Sequence, residues 1–288
     1  MAAKKSDADF TYLVHRPKPK WDDDAPDPEA TSYLDAAHGP EPIPDWVITS
    51  GDARQYELGA LKSGKEAEVF VVERVLGDER NLLAAKRYRD GRTRGFRDDA
   101  AYRTGKEPRD GRTARAINKK TDFGMSARAG VWAGAEFESL SRMWMAGVRV
   151  PYPVQLSGTE IMLEYIGDDD EAAPRLAQYR PSKPELNSLR DQAVAILWGI
   201  AGAGLVHADL SPYNVLVWEE TLYVIDAPQA AELTDVTRAA DFNPMALEFL
   251  RRDCHNLLSW FERKGASIPE PDKLYSELVA AAFAPDPT

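Results

Sequence analysis

One segment of the chain leaves few folds open: Leu205-Val206-His207-Ala208-Asp209-Leu210-Ser211-Pro212-Tyr213-Asn214-Val215-Leu216-Val217. It reads H-x-D-x-x-x-x-N and runs into an apolar strand. A second apolar run, Leu222-Tyr223-Val224-Ile225, ends in Asp226. A hairpin of these two strands would bring Asp209, Asn214 and Asp226 to one side. An Asp, an Asn five residues on and a second Asp after a hairpin suit phosphoryl transfer from ATP. Asp209 is the expected catalytic residue, orienting a hydroxyl and accepting its proton. Asn214 and Asp226 are the expected metal pair, and their oxygen ligands suit Mg²⁺. His207 is expected to hold nearby backbone rather than act as a base. A lone H-x-D triplet is common by chance; the spaced Asn and the Ile-Asp after the hairpin make the set specific.

The first half of the chain supplies matching parts. Lys86 ends an apolar strand, Leu82-Leu83-Ala84-Ala85-Lys86-Arg87-Tyr88, and can reach phosphates if a carboxylate holds it. Glu136, beside Trp132 and Phe137 on a helix read over Val131 to Met145, is the best partner; an exposed helix Glu is the alternative. The turn Lys62-Ser63-Gly64-Lys65-Glu66-Ala67 lies one strand ahead of Lys86 and would cover phosphates. It has a single Gly and lacks the G-x-x-x-x-G-K-[ST] spacing of a P-loop. Asp122-Phe123-Gly124 spells a metal-binding triplet but precedes Asp209, whereas a metal Asp should follow the hairpin.

Charge and composition bound the partners. The 288 residues carry a net charge of −11 and a single cysteine, Cys254, so no internal disulfide framework is possible. A reducing, cytoplasmic setting is expected. No apolar run approaches the roughly 20 residues that span a bilayer, and no apolar signal segment follows the N-terminal Met1-Ala2-Ala3-Lys4-Lys5, so no membrane is expected. From Lys86 to Arg128 there are 14 Lys/Arg against 6 Asp/Glu. That excess reads either as a solvated loop or as a contact for RNA, an acidic protein or the nucleotide.

Residues 1–45 read as an acidic, proline-rich tail. Residues 46–167 read as a strand-rich lobe with a flexible basic loop over about 89–128, and residues 168–288 as a helical lobe, with the break at Gly167-Asp168-Asp169-Asp170. Within them, Tyr56 to Leu61, Glu68 to Val75, Leu82 to Tyr88, Pro151 to Val154 and Glu160 to Ile166 read as extended. Leu186 to Ala203, Leu247 to Lys264 and Lys273 to Phe283 read as helices. The fold class is α+β, two-lobed and kinase-like, with a reduced helical lobe.

The combination resembles the RIO kinase family, atypical protein kinases, and within it the type-one branch. The residues that carry the resemblance are Ser63-Gly64-Lys65-Glu66-Ala67, Lys86, Glu136-Phe137, Glu164-Tyr165-Ile166-Gly167, the segment from Leu205 to Asn214, Val224-Ile225-Asp226 and Phe249-Leu250-Arg251-Arg252-Asp253-Cys254. It implies a Mg²⁺- and ATP-dependent serine/threonine kinase or ATPase. Ser63, Lys65 and Val69 would bind nucleotide, Glu164 and Ile166 would present backbone groups to adenine, and Leu163 would back the pocket. It further implies that Asp226 can become transiently phosphorylated, and that archaeal and eukaryotic members assist maturation of the small ribosomal subunit. Pro228 is a departure from the expected pattern. Two other readings fit the same residues: a small-molecule phosphotransferase of the aminoglycoside or choline kinase type, and a nucleotide-gated assembly factor binding RNA or protein. In the leading reading the substrate is a protein or the chain itself. The absence of an A-P-E signal after Asp226 argues against a standard activation segment.

Overall fold

The computed structural model describes residues 28–89, 122–233 and 243–282, with side chains in the second stretch from residue 128 onward. Most of the tail (1–27) and most of the basic segment (90–121) lie outside the described residues.

Seven antiparallel strands form one sheet: β1 (Glu29–Ala30), β2 (Ala37–His38), β3 (Arg54–Ser63), β4 (Ala67–Leu76), β5 (Glu79–Tyr88), β6 (Pro153–Ser157) and β7 (Glu160–Glu164). Their order is β1-β3-β4-β5-β7-β6-β2. Two-residue turns join β4 to β5 and β6 to β7. Each has a glycine, Gly77 or Gly158, at positive φ (60° and 57°), as such tight turns require.

The sheet has to curl. β1 and β2 sit on opposite edges yet are joined by only Thr31–Ala36. In a flat sheet they would lie about 29 Å apart, six spacings of 4.8 Å. Seven residue steps span at most about 25 Å, and less here because Tyr33–Asp35 is a 3-10 turn. Residues 28–45, assigned from composition to the tail, therefore act as a strap across the sheet. Composition hid this because the strap's anchors are few: Tyr33 is 3% exposed and packs with Val47, Val72, Leu83, Tyr152 and Met162. The buried guanidinium of Arg74 donates to the Ile48 carbonyl (3.0 Å) and to Gln155 Oε1 (2.6 Å), and Gln155 Nε2 donates to Ser32 Oγ.

The other face of the sheet receives helix α1 (Asp122–Met145). Strand alternation decides what goes where. On β5, Leu83 and Ala85 face the strap, whereas Lys86 and Tyr88 face α1. The helix begins nine residues ahead of the expected Val131. In the added stretch Ala129 is a small contact residue, buried with Tyr88 and Ile161. The helix ends at Gly147 (φ 76°), with Val148 N–H bonded to Met143 O and Gly147 N–H to Trp144 O, a Schellman stop.

The helical part comprises α2 (Lys183–Gly202), α3 (Pro244–Arg263) and α4 (Pro271–Ala282) around the short hairpin β9 (Val215–Trp218) and β10 (Thr221–Val224). A further pair, β8 (Leu205–Val206) and β11 (Ala231–Glu232), is antiparallel. Ser182 and Glu185 form a capping box on α2, and Asn243 caps α3. The largest apolar cluster runs through these elements, including Leu189, Ile196, Leu210, Leu222, Leu257 and Phe261. The whole is an α+β, two-lobed, kinase-like fold. No helix among the described residues is long and apolar enough to cross a membrane.

Candidate active site

Glu136 is the organising residue. It is fully buried on α1 and faces β5. Its Oε1 accepts from Lys86 Nζ (2.7 Å) and from the Ala227 N–H (3.0 Å), and its Oε2 accepts from Tyr88 OH. One carboxylate therefore ties together a strand, a helix and the segment after β10. Lys86 Nζ also donates to Asp226 Oδ1 (2.6 Å). Burial by itself lowers the pKa of this lysine, but Asp226 and Glu136 overcome it and hold the pKa well above the ordinary value. Burial and the Glu136 charge push the Tyr88 phenol well up, so Tyr88 stays a neutral donor. Asp226 sits at φ 67°, a left-handed conformation that turns its carboxylate back to the lysine. Burial opposes its ionisation, yet the Lys86 and Lys62 charges keep it well below the usual carboxylate range.

The loop before β9 is held by a second acid. Asp253, buried on α3, accepts from the N–H groups of Ala208 (2.8 Å) and Leu210 (3.0 Å), the neighbours of Asp209. Ala208 itself has φ 70°. Burial raises the Asp253 pKa to about 7, against those backbone donors. Asp209 is exposed, and its backbone and side-chain oxygens accept from Asn214 Nδ2 at 2.9 and 3.1 Å. The Asn214 amide nitrogen is thus committed, and its oxygen is the atom suited to a metal. His207 Nε2 lies 3.2 Å from the Ile225 carbonyl, and Nδ1 accepts from Asp209 N–H at 3.4 Å. A carbonyl only accepts, so the proton is on Nε2 and the ring is neutral; burial lowers its pKa accordingly. His207 therefore fastens the Asp209 loop to the residue before Asp226.

A cleft of about 790 Å³, open to solvent, lies between sheet and hairpin. Val69, Ala84, Leu163, Ile166, Leu216 and Ile225 give it apolar walls, and Lys86, Glu136 and Asp226 give it a charged end. That division fits an aromatic base joined to phosphates. Glu164 also lines it, with its carboxylate on Tyr152 N–H (3.0 Å). Glu164 N–H is committed to Tyr152 O and the Ile166 carbonyl to Ala173 N–H, each at 2.9 Å. Base contacts from these residues would fall to the Glu164 carbonyl and the Ile166 N–H.

Ser63 and Lys65 are not brought into the cleft. Ser63 Oγ donates to Glu68 (3.1 Å) and accepts from Arg89 (2.8 Å), and Lys65 is exposed on the turn. Three contributors escaped sequence reasoning: Tyr88, Arg175 and the loop-holding role of Asp253. The last had a signal, since Asp253 interrupts the Leu250–Leu257 apolar face of α3.

The group of oxygens suits magnesium. The described residues contain no cluster of three His, Cys, Asp or Glu side chains able to hold a metal alone. Magnesium does not need one: it is usually bound through one or two protein oxygens, substrate phosphates and retained water. Asn214 and Asp226 meet that requirement.

A sheet lobe with a Lys–Glu pair, an H-x-D-x-x-x-x-N loop and an Asp after the hairpin define a kinase-like, ATP-dependent phosphotransferase. Residues 68–274 match the RIO domain, and the chain belongs to the RIO kinase family. It is 36% identical over 217 residues to the RIO-type serine/threonine-protein kinase Rio1 of Haloferax volcanii, covering 75% of this chain and 67% of that protein. It is 32% identical over 229 residues to serine/threonine-protein kinase rio1 of Dictyostelium discoideum (79% and 37%), and 29% over 231 residues to human serine/threonine-protein kinase RIO1 (80% and 36%). The matched region thus spans well under half the length of these eukaryotic relatives. The match does not favour a small-molecule phosphotransferase.

Proposed function

We propose that this chain is a type-one RIO serine/threonine kinase or ATPase that takes the γ-phosphoryl group from Mg²⁺-ATP. The observation that carries the reading is the convergence of Lys86 on Glu136 and Asp226 (2.7 and 2.6 Å) at the charged end of an apolar cleft. Lys86 reaches the phosphates, with Glu136 fixing its ammonium. Asp209 orients the attacking hydroxyl and accepts its proton, and Asn214 keeps the Asp209 carboxylate in place. Asn214 Oδ1 and Asp226 would hold the metal, which would supply positive charge to neutralise the phosphoryl oxygens. Val69 and Leu163 enclose the base. Ser63 and Lys65, on an exposed turn, would contact phosphate only if that turn closes. The lobe boundary lies at Gly167. The phosphoryl acceptor is a protein, the chain itself, or Asp226. A cytoplasmic setting is part of the reading, in keeping with the lone, buried Cys254. An RNA or ribosome-related particle is the partner proposed for the basic segment, supported by its 14 Lys/Arg against 6 Asp/Glu.

The test is a γ-labelled ATP assay with Mg²⁺, following labelled protein and free phosphate. Asp209→Ala is expected to lower turnover by about 10²–10⁴-fold, the usual contribution of a positioned base, while nucleotide binding survives. Full activity in that variant would sink the assignment. Label that hydroxylamine removes, and that is absent from Asp226→Asn, marks an aspartyl phosphate; acid-stable label marks a hydroxyl acceptor.

A further inference from the structure

Arg142, six residues after Glu136 on α1, has no part in the set just described, yet it ties α1 to the helical part through three hydrogen bonds. Its Nη1 donates to Glu232 Oε1, and its Nη2 donates to Glu232 Oε2 (3.1 Å) and to the Ala203 carbonyl (2.8 Å). The carboxylate is thus gripped as a fork. The carbonyl belongs to the C-cap of α2, where a cation is favoured. The guanidinium lies against Gly204, at which a Cβ would stand 3.5 Å from Nη2.

Glu232 follows Asp226 by six residues and sits on β11. β11 pairs with β8 in the register Glu232↔Leu205 and Ala231↔Val206, and the Leu233 N–H adds a bond to the Gly204 carbonyl (2.9 Å). β8 runs directly into His207, Ala208 and Asp209. The segment after β10 therefore meets α1 twice. Its Ala227 N–H bonds to Glu136 (3.0 Å), and its Glu232 bonds to Arg142. On the helix the two contacts are about 9 Å apart, six residues at 1.5 Å each. A second contact at that distance resists rotation of α1 about the first. The Arg142 and Glu232 side chains are 29% and 37% exposed, and an ion pair that wet adds little to stability. What it sets is geometry, because a forked grip fixes orientation as well as distance.

We infer that Arg142 is a positioning residue for phosphoryl transfer: through Glu232 it holds the Lys86–Glu136 pair in fixed register with the Asp209 loop. This rests on the reading of the cleft as the phosphoryl-transfer site. Lys86 serves the phosphates and Asp209 the attacking hydroxyl, so a shift of one relative to the other spoils their alignment with every reacting side chain still present.

The full chain is assayed for Mg²⁺-ATP turnover as wild type, Arg142→Ala, Glu232→Ala and the double variant, with hydrogen exchange and urea unfolding measured on each. Arg142→Ala is expected to lower kcat about tenfold, within the roughly hundredfold that a misplacement of about 1 Å can cost. KM for ATP should stay nearly unchanged, and the urea midpoint should barely move. Amides of residues 205–210 and 227–233 should exchange faster. The double variant should lose no more than Arg142→Ala alone, as one shared contact requires. Unchanged kcat in Arg142→Ala overturns the inference, and so does unchanged exchange in those two segments. Single losses that multiply in the double variant overturn it as well, because the two residues would then act separately. A fall in kcat that only parallels a fall in the urea midpoint assigns Arg142 to stability and not to positioning. Wild type that turns over no Mg²⁺-ATP overturns the phosphotransferase reading itself, and this inference with it, before any variant is made.

Discussion

At the scale of single residues, two buried acids set the site, and they act in different ways. Glu136 satisfies a charge: its loss strands Lys86, Tyr88 and the Ala227 N–H together. Glu136→Ala is expected to cost about 3–5 kcal/mol, the range for breaking one partner of a buried ion pair. Glu136→Gln keeps an acceptor and should cost less, while both variants lose phosphoryl transfer; urea unfolding beside the ATP assay checks this. Asp253 instead satisfies backbone. Its folded-state pKa of about 7 lies above the ordinary 3.8, so the fold holds its proton more tightly than the unfolded chain does. The stability it contributes is therefore complete below about pH 3.8 and is given up as pH rises through about 7. Asp253→Asn should flatten that part of the pH–Tm curve and lower stability by about 1–3 kcal/mol, the cost of leaving one buried donor unpaired. An unchanged curve in the variant would show that the carboxyl does not titrate there.

At the scale of elements, the hairpin that follows the H-x-D-x-x-x-x-N loop was the most legible feature. Its motif fixes residue types at fixed spacing, and both strands are apolar. The tight turn between them was not legible. Trp218 pairs with Thr221, leaving Glu219 and Glu220 as the two turn residues, at φ 47° and 56°. A turn of that hand ordinarily selects Asn-Gly, and each non-glycine residue held left-handed costs about 1–2 kcal/mol. Glu219→Asn with Glu220→Gly is expected to raise Tm, by about 1 kcal/mol of stability after the glycine's greater unfolded-state entropy is set against the relief. Turnover should be unchanged, since Glu219 and Glu220 lie at the far end of the hairpin from Asp226. A lower Tm would mean that these acids have stabilising partners. The start of α1 was hidden for a different reason: Ala129, ahead of the expected first residue Val131, meets Tyr88 and Ile161 through a small side chain.

At the scale of the molecule, the least legible feature was the one that closes the sheet. Composition weighs average polarity, whereas the strap works through a few anchors whose partners lie far away in sequence. Tyr33 stacks on His38 (ring centroids 4.2 Å apart) and lies under the Arg74 guanidinium (5.6 Å), and Tyr152 OH donates to the Pro40 carbonyl. Because β1 and β2 cap opposite edges, losing the strap exposes two strand edges at once and uncovers Val72, Leu83 and Met162. Tyr33→Ala is therefore expected to cost about 3–5 kcal/mol, the range for deleting a buried aromatic ring. The loss should not stay local: Leu83 and Ala85 sit on the strap side of the strand that presents Lys86 on the other side. Hydrogen exchange should rise first across β1 and β2 and then along β5, with weakened ATP binding following the β5 change. Faster exchange confined to residues 28–45, with β5 and ATP affinity unaltered, would show that the strap covers the sheet without supporting the site.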